Sequence, residues 1–151
     1  MKKVLFLALL FAASCAKQPN EADPNASDYF IFGIYYGECS GNCAVLFKLQ
    51  GDQLYADENV TYLFPVAALA FQNQSLAADK VALAQNLYQN IPASLWNEKD
   101  GTIGCPDCRD QGGYYIKVST DGKVREWFLD RDVAQYAAFC DSVSATVYKL
   151  Q

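Results

Sequence analysis

The chain predicts an α+β domain: a mainly antiparallel sheet of about five strands with two helices packed on one face. Three observations carry this. Two tight-turn dipeptides, Gly51-Asp52 and Asp121-Gly122, each sit between runs of alternating polarity. Two segments, 75–90 and 132–151, repeat apolar residues at helical spacing. The strands come mostly as sequence neighbours rather than alternating with helices, which favours antiparallel pairing over a parallel sheet.

The elements follow in order. Residues 29–36, aromatic and β-branched, read as a strand; being apolar on both faces, it belongs in the sheet centre. Residues 44–50 and 53–57 flank Gly51-Asp52 as a hairpin, with Val45, Phe47 and Leu49 on one face and Lys48 and Gln50 on the other. The stretch 62–71 fits strand or helix equally. Ser75 can cap a helix running to about Asn90 and stopped by Pro92. Its buried stripe is Leu76, Leu83, Ala84, Leu87 and Ile91.

The second hairpin is the clearest element. Residues 114–120 and 123–129 flank Asp121-Gly122. Counting outward from that turn sets Lys117 opposite Glu126 and Ile116 opposite Trp127. Tyr114, Ile116, Val118, Trp127 and Leu129 then share an apolar face, and Lys117, Ser119 and Glu126 a polar one. Asp132 and Gln135 form a capping box for the last helix. Its stripe is Val133, Tyr136, Ala137, Cys140, Val143, Ser144, Val147 and Leu150.

The amino terminus has a different character. Lys2 and Lys3 precede an unbroken apolar run, Val4 to Ala13, and small residues lead to Cys15. Ten apolar residues are too few to span a bilayer, which takes about 20. The run reads as a secretory signal. The cysteine at the small-residue site makes it resemble a bacterial lipoprotein signal, with Ala12 standing where leucine is most frequent. The resemblance implies cleavage after Ser14 and acylation of Cys15. Ala16, rather than Asp, follows the cysteine, which in the Gram-negative sorting pattern implies the outer membrane. The alternative is an ordinary secreted protein with Cys15 left as a thiol. Residues 1–14 are thus read as signal peptide, 15–28 as a lipidated cysteine and flexible tether, and 29–151 as one domain. The implied location is the cell envelope, lipid-anchored, facing the periplasm or the surface.

Charge and composition exclude several function classes. Twelve basic residues face seventeen acidic ones; without Lys2 and Lys3 the balance is ten to seventeen, net −7. Phosphate contacts supply most nucleic-acid affinity, so nucleic acid is a poor partner. The chain has no histidine. Histidine-based triads, His general bases and His-bound zinc are therefore excluded, and no catalytic set or cofactor is expected. Asp107, Asp110, Glu38, Asp57 and Glu58 show no metal-loop spacing and read as solvated loop charges.

Six cysteines less Cys15 leave five, an odd number. Cys140 lies mid-stripe on the last helix and reads as a buried thiol. The others form two close pairs, Cys39/Cys43 and Cys105/Cys108. Export favours two structural bridges, paired locally or crossed between the loops. A redox pair at Cys105/Cys108 would need a helix N-terminus that the sequence lacks. A four-thiolate metal site has suitable local spacing but would oxidise first.

The Gly37-Glu38-Cys39 start of the C-x₃-C loop, and Gly104-Cys105-Pro106-Asp107-Cys108 followed by Gln111-Gly112-Gly113, resemble a group of small bacterial lipoproteins to which no activity is assigned. Beyond the anchor, the resemblance implies no function. Tyr29, Tyr35, Tyr55 and Tyr115 are candidates for an aromatic patch on the helix-free sheet face. Such a patch would suit a glycan or an envelope protein. The expected function is a lipid-anchored, non-catalytic binding or structural module. Two alternatives are a periplasmic thiol oxidoreductase using Cys105/Cys108 and an enzyme inhibitor presenting the Gly37–Cys43 loop.

Overall fold

The computed structural model describes residues 28–37, 39–58 and 69–151. The residues read from sequence as a signal peptide, Cys15, all but the last of those read as a tether, Glu38 and most of the 62–71 stretch lie outside them. Six strands, β1 (Tyr29–Tyr35), β2 (Ala44–Gln50), β3 (Gln53–Ala56), β4 (Gly101–Ile103), β5 (Gly113–Thr120) and β6 (Lys123–Leu129), form one open sheet. The order is β3-β2-β1-β5-β6-β4. Every neighbouring pair is antiparallel except β4 with β6. Two helices, α1 (Ala78–Gln89) and α2 (Ala134–Leu150), cover one face.

β1 takes the central position that its two-sided apolar pattern demands. Phe30 and Phe32 point into the helix-side core, while Ile31 and Tyr35 join a cluster on the opposite face. Gly33 is required there. A Cβ at this position would stand 2.0 Å from the Val45 carbonyl oxygen and 2.8 Å from a Leu46 methyl. The second hairpin has the expected register, with Lys117 opposite Glu126 and Ile116 opposite Trp127. Lys117 Nζ lies 3.2 Å from Glu126 Oε1.

The sixth strand is the unforeseen one. Three residues of β4 are too few to show a period, and Arg125 supplies the tertiary reason they pair. Its guanidinium donates to Asp100 Oδ1 (2.7 Å) and to the Trp96 and Glu98 carbonyls (3.1 and 2.5 Å). It also lies 4.9 Å from the Trp127 ring centroid. This fastens the segment before β4 alongside β6.

Both expected helix caps are diverted to tertiary work. Ser75 Oγ accepts the Leu54 N–H (3.1 Å) at β3 instead of capping α1, which starts after Ala77. Of the expected stripe, Ala84, Leu87 and Ile91 are buried; Val81 joins them, Leu83 is partly buried, and Leu76 packs on the core ahead of the helix. Asp132 pairs with Arg109, and α2 begins after Val133. Phe139, absent from the expected stripe, is buried beside Cys140. Among the described residues, no helix is long and apolar enough to cross a membrane.

Candidate functional site

The antiparallel β1–β5 register pairs Tyr35 with Gly113. That pairing brings together the loop leaving β1 (36–43) and the loop entering β5 (104–112). Each contains one disulfide: Cys39–Cys43, Cα atoms 5.7 Å apart, and Cys105–Cys108, 5.5 Å apart. The local pairing rules out the crossed alternative. It also leaves no thiolates for a four-cysteine metal site. Cys43 is fully buried, whereas Cys105 and Cys108 are exposed.

Asp107 ties the two loops to each other. Its Oδ2 accepts the Gly37 N–H at 2.5 Å, and its Oδ1 accepts the Gly112 N–H at 2.7 Å. Its own N–H donates to the Gly112 carbonyl at 3.2 Å. The backbone of Asp107 is left-handed, φ 61°, a conformation that aspartate tolerates better than most residues. It is therefore not the solvated loop charge its sequence context suggests. Tyr36 N–H donates to the Cys43 carbonyl (2.8 Å) and closes the first loop at its base.

Asp130 braces the second loop from below. This carboxylate is only 7% exposed. Oδ2 accepts the Cys105 N–H (2.9 Å), and Oδ1 accepts the Asp132 N–H (2.8 Å) at the start of α2. Gln111 spans the loop, donating to the Cys105 carbonyl (3.3 Å) and accepting the Arg109 N–H (2.7 Å). Arg109 and Asp132 form an ion pair, but both side chains are mostly exposed, so it adds little stability.

This geometry suits a rigid surface better than thiol chemistry. Residues 106–109 form a turn, not a helix, so no helix dipole acidifies a thiol. Asp107, Asp110 and Asp130 add negative charge, which disfavours a thiolate. Cys140 is buried on α2, and burial, reinforced by the charges of Asp141 and Asp130, pushes its thiol up to about 12. It is inert at ordinary pH.

The four candidate tyrosines do share the helix-free face, but they do not form an exposed patch. Tyr35 and Tyr115 are 2% and 0% exposed. They pack with Ile31, Leu46 and Phe128 in a second core, with Leu69 and Phe71 against it. Residues 70–72 return beside β3, with the Gln72 N–H on the Ala56 carbonyl (2.8 Å), and carry that cover into place. Tyr35 meets Phe128 edge-on at 5.8 Å, and Tyr115 lies 5.1 Å from the same ring. Tyr115 donates to Glu126 Oε1. Burial raises both phenol pKa values, helped by the charges of Asp107 and Asp130 at Tyr35 and by Glu126 at Tyr115. Tyr29 and Tyr55 are partly buried: Lys48 Nζ sits 5.5 Å from the Tyr29 ring, and Tyr55 bonds to Gln53. The aromatic-patch reading is thereby corrected for Tyr35 and Tyr115.

Sequence reasoning missed Asp107, Asp130 and Gly37 as parts of one assembly. The available signal was an aspartate enclosed by two cysteines and followed by Gly112-Gly113. Fold and site together define a class, an α+β domain whose open sheet carries a double-disulfide loop end. No protein-family model matches the chain, and no curated protein matches it.

Proposed function

We propose that this protein is a lipid-anchored, non-catalytic binding module of the bacterial envelope, attached through Cys15 and probing a partner protein with its double-disulfide end. One observation carries the reading: two loops from distant parts of the chain are locked into a single surface by two bridges and the Asp107 carboxylate. Preorganised loops bind without the entropic cost of ordering. The anchor geometry agrees. The tether meets the domain at Asp28, and the seven residues of β1 run from there to the loops, a distance of about 20 Å at ~3.3 Å per residue. The point of attachment and the loops therefore lie at opposite ends of β1, which leaves the loops free of the anchor.

The test has two arms. Fatty-acid labelling of the wild type and of Cys15→Ser reports the anchor, and unlabelled wild type refutes it. A photo-crosslinking residue at Tyr36 or Gln111, against a control at Tyr148 on α2, reports the surface in intact cells. The expected result is one adduct, identified by mass spectrometry, from the loop positions and not from Tyr148. It should be lost on Asp107→Ala. Equal capture from all three positions, or none, overturns the binding role.

Exposure of Cys105 and Cys108 supports a second reading, a thiol oxidoreductase. Its discriminating property is the potential of that bridge: a value far below that of the envelope redox machinery ends it. An inhibitor presenting the Gly37–Cys43 loop is a narrower form of the main proposal. It requires that the captured partner be an enzyme.

A further inference from the structure

We infer that the exposed Cys105–Cys108 bridge is a redox latch on the docking of the two loops: a dithiol that reduces it releases the Asp107 clamp and switches the loop surface off. The inference rests on the binding role proposed above and adds its regulation. The reductant is a protein dithiol, and the reaction is thiol–disulfide exchange. One thiolate of the dithiol attacks a sulfur of the bridge, and the other cysteine leaves and takes a proton. The second thiol then attacks the mixed disulfide. Two electrons and two protons pass to Cys105 and Cys108, and the dithiol closes to its own disulfide.

The bridge encloses the residue that does the docking. Asp107 lies between two cysteines three apart in sequence, and the ring confines it to a sparsely populated backbone region, φ 61°. One side of the ring is fixed to the fold, because buried Asp130 holds the Cys105 N–H at 2.9 Å. The Cys108 side is held more loosely. Cys108 N–H to the Cys105 carbonyl and Asp110 N–H to the Asp107 carbonyl are both long, 3.3 Å. That side is also tied by Gln111, which reaches the Cys105 carbonyl at 3.3 Å, and by the exposed Arg109–Asp132 ion pair. The sulfur–sulfur bond is therefore the strongest link from the fixed half of the turn to the rest of it. The first loop is closed independently, by the Tyr36 N–H on the Cys43 carbonyl and by burial of Cys43. Opening the second bridge thus undocks the loops without dismantling the first. Cys105 and Cys108 are exposed to a reductant, whereas Cys43 and Cys140 are buried. Asp107, Asp110 and Asp130 outnumber the one guanidinium nearby, Arg109, which is shared with Asp132. They keep the released sulfurs protonated and poor attackers. Such thiols hold a state rather than pass electrons on, which separates a latch from a catalyst.

The whole purified protein is tested in two forms. One is the wild type under graded dithiothreitol, taken by alkylation mapping to the point where only Cys105 and Cys108 are labelled. The other is the double change Cys105→Ser with Cys108→Ser, which needs no reductant; the wild type serves if this variant fails to fold. Amide exchange read by NMR reports the latch without any partner. Closing so small a ring shifts an equilibrium by roughly tenfold to twentyfold. The Gly37 amide should therefore exchange roughly tenfold faster in both forms, and reoxidation of the wild type should restore it. Amides of the β5–β6 ladder should not change. In intact cells, the adduct from the photo-crosslinking residue at Tyr36 should be lost in the double-serine variant. A bridge that stays closed until the sheet melts, Gly37 protection unchanged in both forms, equal acceleration across the β5–β6 ladder, or a full Tyr36 adduct in the double-serine variant overturns the latch. No adduct from the wild type overturns the binding role, and the Gly37 exchange still decides the latch.

Discussion

Removing the Asp107 carboxylate should undock the two loops without unfolding the sheet. The carboxylate accepts two backbone N–H groups, from Gly37 and Gly112. A hydrogen bond to a charged group contributes about 1.5–3 kcal/mol. The Gly37 bond is exposed, so it belongs at or below the low end, and the pair together is worth roughly 2–4 kcal/mol of loop docking. Asp107→Asn keeps a residue tolerant of the left-handed backbone but offers one oxygen in place of two, so it should lose about half. Asp107→Ala loses both acceptors and adds the left-handed strain of a residue without a polar side chain, roughly 1–2 kcal/mol.

Hydrogen exchange read by NMR measures this directly. About 1.4 kcal/mol corresponds to a tenfold change in an equilibrium. The Gly37 and Gly112 amides should exchange roughly tenfold faster in Asp107→Asn and at least a hundredfold faster in Asp107→Ala. The Cys105 amide is held by Asp130 rather than Asp107 and should change little. Unchanged protection of Gly37 and Gly112 in Asp107→Ala would refute the clamp. Equal acceleration of all three amides would show that the carboxylate supports the fold as a whole.

Cys140 should make stability fall at high pH: its thiol is neutral in the fold up to about 12, whereas an unfolded chain loses the proton near about 8.5. Stability is full below the unfolded value and erodes as pH climbs between the two. Cys140→Ala should flatten urea midpoints between pH 8.5 and 10, before the raised tyrosines contribute. Arg125→Ala breaks one ion pair and two carbonyl bonds and should cost about 3 kcal/mol by urea denaturation. Arg125→Lys should recover less than half, since an ammonium cannot reproduce the planar fork. Gly33→Ala drives a methyl onto the Val45 carbonyl and should cost at least about 1–3 kcal/mol, read as a lowered Tm. Under dithiothreitol, alkylation mapping should find Cys105–Cys108 opened before Cys39–Cys43, because Cys43 is fully buried whereas Cys105 and Cys108 are both exposed.

The sheet was legible wherever one hairpin decided its own register. The Lys117–Glu126 and Ile116–Trp127 pairs follow from a turn dipeptide and a period of two, both local properties. β4 was not legible, because what pairs it is Arg125, over twenty residues downstream. The caps failed for a related reason: Ser75 and Asp132 have the right chemistry for helix ends, but the structure engages each with a residue distant in sequence, Leu54 and Arg109. The buried state of Tyr35 and Tyr115 depended on the 69–72 return, whose conformation no periodicity announced. At the candidate site two bridges were expected from the spacing of the cysteines and the export implied by the leader, while their local pairing became visible only in the structure. The partner of Asp107 at Gly37 lies seventy residues upstream, and only the sheet register brings it into reach.

The same carboxylate that docks the loops also works against redox turnover. A thiol–disulfide exchange needs a thiolate as attacker and a stable thiolate as leaving group. Opening Cys105–Cys108 would release thiols beside Asp107 and near Asp110 and Asp130, where negative charge disfavours both. A catalytic C-x-x-C motif gains from a positive neighbour or a helix N-terminus. Here the turn has no helix N-terminus; the one cation beside the bridge, Arg109, is mostly exposed and shared with Asp132, and the backbone N–H of Cys105 is already held by Asp130. Positioning by carboxylates and activation of a thiol are opposed demands on one loop, and these residues meet the first. That opposition is why an exposed bridge at this position supports a presented surface more strongly than a reactive one.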